Sequence, residues 1–147
     1  FVVALACHSS SKKGVLRGIH FSQASRGQTK WISCTNGKVI DVIVDIRPNS
    51  PTFRHWEAVE LNAHDGKSIL ISAGLGHAFV ALEDNTNMAY LFDTPYAPEK
   101  ELAINPLDKE IGIAWPKIPL NISDRDSSAP TLKEFLDTQQ KLIGGQI

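Results

Sequence analysis

Several features that would narrow the function of a chain are scarce in this sequence. It has only two cysteines, Cys7 and Cys34, which is too few for the disulfide framework of a small secreted domain. Its formal net charge is -1, which gives no electrostatic reason to expect nucleic acid or an anionic membrane as a partner. It has no apolar run near the roughly 20 residues of a membrane-spanning helix. We therefore expect free thiols in a reducing cytoplasm, no nucleic-acid partner and no membrane partner.

What the chain has is the composition of one globular domain. Its 147 residues are enough to bury a sizeable core, and its 42% apolar and 21% charged residues are ordinary for such a domain. We therefore expect a single domain over residues 1–147. The first seven residues, F-V-V-A-L-A-C, look like the end of a secretory signal, but no basic segment and no initiator methionine precede them. We interpret residues 1–6 as a strand of a chain that begins part-way through a protein.

Short apolar stretches separated by turn signals recur along the first two thirds of the chain. Most alternate apolar and polar residues, as half-buried β-strands do. The dipeptide Asn36-Gly37 is typical of a two-residue β-hairpin between neighbouring strands. The pattern predicts an all-β sandwich or barrel. The predicted strands cover residues 14–21, 30–35, 38–47, 56–61, 68–71, 77–82 and 87–92.

Alternation also predicts which side chains share a face. In residues 38–47, the even-numbered positions from Ile40 to Ile46 form one apolar face, and Asp41 belongs to the other. In residues 14–21, G-V-L-R-G-I-H-F, strict alternation places Arg17 and His20 on opposite faces. A histidine and an arginine in a strand of core residues suggest a site, because buried ionisable groups need partners. The alternative is a satisfied core histidine and a surface arginine.

The carboxyl end has a different pattern. Residues 95–119 contain five prolines and predict an irregular segment. Thr131 and Glu134 have the spacing of a helix capping box, and the apolar residues after them follow helical spacing up to Gly144. We expect one short amphipathic helix there.

Four side chains on the predicted strands could line one mouth of a barrel. These are His20, Lys30, Asp41 and Tyr90. A histidine suits general-base work near neutral pH, a lysine can stabilise an oxyanion, and a tyrosine can donate a proton. Each also has a structural interpretation: Lys30 could lie in solvent, Tyr90 in the core, and Asp41 could pair with Lys30 or Arg17. The residues alone leave these alternatives open.

A metal site that uses His20 and His77 is the main rival interpretation. Both histidines lie on predicted strands, as the ligands of zinc and iron often do. Neither has a second histidine two or four residues away, and no carboxylate follows His20 at ligand spacing. His55 and His64 lie in polar surroundings and are expected to face solvent. The pattern therefore favours a site without a metal.

A series of motifs, in order along the chain, resembles the dTDP-4-dehydrorhamnose 3,5-epimerase family. That family belongs to the cupin-like double-stranded β-helix, or jelly-roll, proteins, so the resemblance implies an all-β jelly-roll barrel. Ser33-Cys34 and the S-D-R-D motif look closer to the branch that makes antibiotic deoxysugars. The motifs are G-V-L-R-G-I-H-F (14–21), N-G-K-V-I-D-V-I-V-D-I-R (36–47), S-P-T-F-R-H-W (50–56), G-L-G-H-A-F-V-A-L (74–82), Y-A-P-E-K-E (96–101), I-A-W-P (113–116) and S-D-R-D (123–126).

The resemblance implies an epimerase of a dTDP-4-keto-6-deoxyhexose that inverts C3, C5 or both without a cofactor or a metal. His20 falls where the family has its base, and Asp126 where a carboxylate holds that base. Lys30 matches the lysine that stabilises the enolate. Tyr90 matches the tyrosine that returns a proton on the opposite face.

The resemblance also implies binding residues and a partner. Arg17, His77, Tyr96, Glu101 and Arg125 match positions that contact the dTDP-sugar. The family relation further implies a homodimer.

Two departures from the family pattern bear on function. Leu5 and Cys7 stand where the family usually carries glutamine and asparagine. The segment that precedes this strand in the family, which contributes to nucleotide binding, is not represented in the sequence. A sugar-nucleotide binding domain without catalysis therefore stays as a further alternative.

Overall fold

Eight of the strands follow from the alternating pattern, and their pairing folds the chain back on itself. The computed structural model describes residues 1–144. Along the chain, β1 pairs with β8, β2 with β7, β3 with β6 and β4 with β5, all antiparallel. The strands are β1 (Leu5–Ser11), β2 (Val15–Ser22), β3 (Lys30–Asn36), β4 (Lys38–Asp45), β5 (Trp56–Asn62), β6 (Ser68–Ile71), β7 (Leu75–Ala81), β8 (Thr86–Phe92), β9 (Glu101–Ala103) and β10 (Asn121–Ile122); the helices are α1 (Asp124–Ser127) and α2 (Leu132–Gly144).

The strands form two facing sheets. The smaller sheet has the order β1-β8-β3-β6, and the larger sheet has the order β10-β2-β7-β4-β5, with β9 also paired to β2. This nested pairing of two four-strand sets is the jelly-roll arrangement. The prediction of an all-β jelly-roll with a short carboxyl-terminal helix is confirmed.

Each face of the larger sheet packs against a different apolar cluster. The face that contains Val42 and Val44 packs outward against the carboxyl-terminal part of the chain, where Leu132 is buried. There the rings of Phe135 and Phe21 meet edge to face, with their centroids 5.2 Å apart. The other face turns toward the smaller sheet. Strand β4 is therefore buried on both sides, as its two predicted faces indicated. The cluster between the sheets contains Cys34, Val39, Leu61, Phe79 and Met88.

The hairpin prediction at Asn36-Gly37 is wrong. Strand β3 belongs to the smaller sheet and β4 to the larger one, so the two strands are not paired. Gly37 has φ +74 and lies against Thr86, where a Cβ atom would collide. The dipeptide does mark a tight turn, but this turn carries the chain from one sheet to the other.

The ends of the chain differ from expectation in detail. Residues 1–4 lie outside the strands, so the strand predicted for residues 1–6 begins only at Leu5. Strands β9 and β10 and helix α1 were not predicted. The capping box is confirmed: the Thr131 N–H donates to Glu134 Oε2 at 2.8 Å, and the Glu134 N–H donates to Thr131 Oγ1 at 3.2 Å.

Two further expectations concern the whole of residues 1–144. Cys7 and Cys34 are both free thiols, as expected. In this part of the chain, no helix has the length and apolar character needed to cross a membrane.

Candidate active site

A bulge in β2 brings Arg17 and His20 to the same side of the sheet. Arg17 is opposite Phe79 on β7, and His20 is opposite His77, so three steps along β2 match two steps along β7. In a regular strand, residues three positions apart point to opposite faces; the extra residue interrupts this alternation and brings both side chains to one face. The expectation from strict alternation, that the two side chains lie on opposite faces, is therefore wrong. Both line one cavity between the sheets.

This cavity has a volume of about 280 Å³ and contains most of the residues predicted from the sequence. Those that line it are Arg17, His20, Lys30, His77, Tyr90, Tyr96, Glu101 and Arg125. The remaining one, Asp126, is buried directly behind His20. The fold thus brings together residues spread over more than 100 positions of the chain.

His20 and Asp126 form a hydrogen-bonded pair at the cavity wall. The Nε2 atom of His20 lies 2.8 Å from Asp126 Oδ1, and the Gly18 N–H donates to Asp126 Oδ2 at 3.1 Å. Ser123 caps α1 and thereby fixes the first turn, from which Asp126 projects. Burial alone would raise the pKa of Asp126, but the hydrogen bond and charge of His20 hold it below its ordinary value. The imidazole is therefore oriented by an ionised carboxylate.

Lys30 is buried on the opposite sheet. Its side chain is 5% exposed, and its Nζ donates to the His20 carbonyl oxygen at 3.3 Å. Burial lowers the pKa of the Lys30 ammonium, whereas the carboxylates of Glu101 and Asp41 act to raise it. The alternative that Lys30 lies in solvent is wrong.

Tyr90 also projects into the cavity from the smaller sheet. Its hydroxyl lies 3.1 Å from Ser9 Oγ, and its ring stacks on Phe92 with centroids 6.1 Å apart. Burial is the main cause that raises the pKa of the Tyr90 phenol to about 12. The phenol is therefore neutral near pH 7 and carries a proton that it can donate.

Two arginines place positive charge at the mouth of the cavity. Arg17 donates from Nε to Ser11 Oγ and from Nη2 to the Ser10 carbonyl, both at 3.2 Å. Arg125 donates to the Glu101 carbonyl at 3.3 Å. These bonds leave other guanidinium donors available, and such groups suit bidentate binding of phosphate. Tyr96, 65% exposed, lines the same mouth.

His77 belongs to a second histidine–aspartate pair. Its Nε2 atom lies 2.8 Å from Asp41 Oδ2 in the interior. The expectation that Asp41 pairs with Lys30 or Arg17 is wrong, because its hydrogen-bond partner is His77. Within residues 1–144, no three His, Cys, Asp or Glu side chains form a group that could hold a metal ion. His55 and His64 are exposed, as expected.

Sequence reasoning missed several residues of the cavity. Ser9 holds the Tyr90 hydroxyl, and the buried Gln28 donates to Glu101 Oε1 at 3.2 Å and to Thr94 Oγ1 at 3.1 Å. The alternation of β1 could have placed Ser9 on the inner face, but not beside Tyr90. The other missed residues that line the cavity are His8, Phe79 and Phe92, and the two departures from the family pattern, Leu5 and Cys7, line it as well.

Comparisons with known proteins identify relatives of this chain. The model of one protein family, described as dTDP-4-dehydrorhamnose 3,5-epimerase, matches residues 2–134. A dTDP-4-dehydrorhamnose 3,5-epimerase from Mycolicibacterium smegmatis is 52% identical over 127 residues, which are 86% of this chain and 62% of that protein.

Solved structures include two sugar epimerases from Streptomyces. A double mutant of ChmJ, a 3'-monoepimerase from Streptomyces bikiniensis in complex with dTDP, superposes with a TM-score of 0.90 at 41% identity, over 93% of this chain and 69% of that one. NovW, a 4-keto-6-deoxy sugar epimerase from the novobiocin cluster of Streptomyces spheroides, gives 0.91 at 39% identity, over the same shares of the two chains.

The chain is shorter than these relatives, since it spans 62% of the Mycolicibacterium smegmatis protein and 69% of each Streptomyces chain. The matched region nevertheless includes both sheets and every residue predicted for the site. The chain therefore belongs to the dTDP-4-dehydrorhamnose 3,5-epimerase family.

Proposed function

We propose that this chain is an epimerase of a dTDP-4-keto-6-deoxyhexose in deoxysugar biosynthesis, and that it inverts C3, C5 or both. One observation carries the proposal. His20, held by Asp126 of α1, extends into the cavity from the larger sheet, whereas Tyr90 and Lys30 extend into it from the smaller sheet. A base and an acid on facing walls are what inversion at a carbon requires, because the two protons must move on opposite faces.

The first step removes the proton from the carbon beside the ketone. Asp126 accepts from Nε2 of His20, which leaves Nδ1 of the imidazole as the atom that takes the proton. The C–H electron pair becomes the C=C bond of an enolate, and the carbonyl π electrons move to oxygen. The ammonium of the buried Lys30 stabilises that oxygen.

The second step returns a proton from the other side. The Tyr90 phenol gives its proton to the carbanionic carbon of the enolate, and the ketone reforms with the configuration inverted. Solvent then reprotonates the phenolate and takes the proton from the His20 imidazolium. The reaction moves protons only, with no net oxidation, and the ketone itself supplies the C–H acidity, so the proposal invokes no cofactor and no metal.

The remaining residues of the site bind the dTDP-sugar. Arg17 and Arg125 bind the diphosphate, and His77, Tyr96 and Glu101 contact the rest of the dTDP-sugar. One relative, ChmJ, supports this substrate class, since its double mutant was solved with dTDP and ChmJ itself with dTDP-quinovose. The homodimer implied by the family relation stays a prediction, which light scattering on the purified chain tests.

Proton exchange tests the proposal. In deuterated water with dTDP-4-keto-6-deoxyglucose, we expect NMR to show loss of the proton signal at C3, C5 or both. His20→Asn should slow this exchange on the order of 10²-fold or more, since it removes the general base. His64→Asn, which changes an exposed histidine in a turn, is the matched control and should leave the rate unchanged.

The rival functions give different results in the same assay. Binding of dTDP by a folded chain without any exchange would contradict the epimerase and favour a binding domain. Exchange that disappears with a chelator and follows stoichiometric zinc, iron or manganese would favour a metal-dependent cupin enzyme. Exchange that persists with a chelator and depends on His20 supports the proposal.

A further inference from the structure

The reaction proposed above gives no role to Asp41, a buried carboxylate that is hydrogen-bonded to a residue of the cavity. Asp41 lies on β4 with 0% of its surface exposed. One oxygen, Oδ2, accepts from His77, and within residues 1–144 the other, Oδ1, is enclosed without any hydrogen-bond partner. A buried charge with an unpaired oxygen lowers stability, and such an atom in a native fold needs an explanation.

Asp41 acts on three groups of the cavity at once. It holds His77 through the 2.8 Å hydrogen bond. Its negative charge favours the ammonium form of the buried Lys30. The same charge disfavours ionisation of the Tyr90 phenol. One side chain outside the cavity thus supports the protonated forms of two residues inside it.

The hydrogen bond also fixes the chemistry of His77. A carboxylate can only accept, so Nε2 of His77 carries the hydrogen, and Nδ1 is the free position. Nδ1 has no hydrogen-bond partner in the described part of the chain and is not among the enclosed unpaired atoms, so it reaches the cavity that His77 lines. Asp41 therefore decides which nitrogen His77 presents to a bound molecule.

His77 is not a second copy of the His20 base. The two histidines are paired across β2 and β7, and each has a carboxylate at 2.8 Å. However, the His20 side chain is 33% exposed, whereas that of His77 is 6% exposed. Asp126 also receives a backbone N–H from Gly18, whereas Asp41 Oδ1 receives none within residues 1–144. The second pair is thus suited to hold a fixed orientation.

We propose that Asp41 is a positioning residue of the epimerase site. It fixes the tautomer and orientation of His77, so that Nδ1 faces the sugar. This inference rests on the proposed function. It adds Asp41, a residue that does not contact the substrate in the proposed reaction.

Asp41→Asn tests it with little change in shape. The amide can donate to Nε2 of His77, which moves the imidazole hydrogen to Nδ1. We expect ¹⁵N NMR of the imidazole to report Nε2–H in the wild type and Nδ1–H in the variant. We expect kcat for C–H exchange to fall on the order of 10²-fold through misplacement of the site. The Kd for dTDP should stay within about twofold, because Arg17 and Arg125 are untouched.

Asp45→Asn is the matched control. Asp45 lies on the same strand and face, is also buried, and binds Arg47, Ser50 and Thr52 outside the cavity. This variant should lose thermal stability and keep the exchange rate of the folded protein. A structural role for Asp41 alone would make both variants behave alike.

Four results would overturn the inference. The first is an Nδ1–H tautomer of His77 in the wild type. This measurement needs no variant, so it remains a test even if the Asp41→Asn protein does not fold. The second is an Asp41→Asn protein that keeps more than half of the wild-type exchange rate. The third is equal loss of kcat and of dTDP affinity, which would indicate general damage to the fold. The fourth is absence of exchange in the wild type, which removes the proposed function itself and is thereby distinguished from the other three.

Discussion

Replacement of Asp126 by asparagine tests the base pair most sharply. The oxygen of the new amide could still accept from the Gly18 N–H, but its NH₂ group would then face Nε2 of His20, which in the wild type donates to the carboxylate of Asp126. The imidazole hydrogen would move to Nδ1, and the atom that should take the substrate proton would already carry one. We therefore expect D126N to fold and to lose catalysis.

The size of the loss follows from the bond that is removed. A hydrogen bond to a charged group contributes about 1.5–3 kcal/mol, which corresponds to roughly 10- to 150-fold in rate. The tautomer change adds to this, so the expected loss in exchange rate is on the order of 10²-fold or more. The assay is deuterium incorporation into dTDP-4-keto-6-deoxyglucose, followed by NMR at equal concentrations of folded protein.

Asp124→Asn provides the matched control for this variant. Asp124 lies in the same short helix, but it is exposed, and the carboxylate that His20 binds is that of Asp126. We expect wild-type exchange from this control. A D126N rate above about one third of wild type, a loss well under the magnitude expected for a charged hydrogen bond, would refute the role of Asp126.

Two further predictions concern the fold. Arg47 holds the pKa of Asp45 below its ordinary 3.8, so the folded state binds fewer protons there and stability must fall as pH drops from about 4 toward the folded pKa. Thermal melts from pH 7 to 3 should show this loss in the wild type and less of it in D45N; equal slopes would contradict it. Gly37→Ala should destabilise the chain by more than about 1–2 kcal/mol in urea unfolding, because φ is +74 and the new Cβ meets Thr86. Gly66 has φ +63 with open space around it, so Gly66→Ala measures the backbone contribution alone. An equal loss of stability in the two variants would refute the steric argument for Gly37.

The sequence predicted the strands better than their arrangement. Alternation in β4 gives its two faces directly, because side chains in any strand alternate. The Asn36-Gly37 turn shows what alternation omits: a turn signal does not say whether the next strand joins the same sheet. Strand β10 is only two residues long and has no period to detect.

The site was predictable where residue types fit the chemistry, and not where it depends on register. His20, Lys30 and Tyr90 could be proposed from their types and their positions on strands. Their common cavity depends on the β2 bulge, which brings Arg17 and His20 to the same face of the sheet. A single sequence contains no pattern that predicts this bulge. The partner Asp126 lies 106 positions from His20 on a four-residue helix, so only resemblance to the family indicated it.

The pair formed by Asp41 and His77 could not be predicted for the same reason, because it depends on strand register. The two residues lie on neighbouring strands and are separated by 36 positions of the chain. Residue types alone suggested a cation as the partner of Asp41. The register of β4 against β7 instead places His77 next to Asp41. The local sequence pattern of either strand does not determine this register.

The most direct test of the two-wall mechanism is the ratio of exchange to inversion in Tyr90→Phe. In deuterated water, exchange reports removal of the proton by His20, and formation of the inverted sugar reports delivery of a proton from the other side. We predict that the variant still exchanges the proton beside the ketone while inversion at that carbon falls on the order of 10²-fold or more. Equal loss of exchange and inversion, or wild-type inversion, would contradict separate roles for the base and the acid.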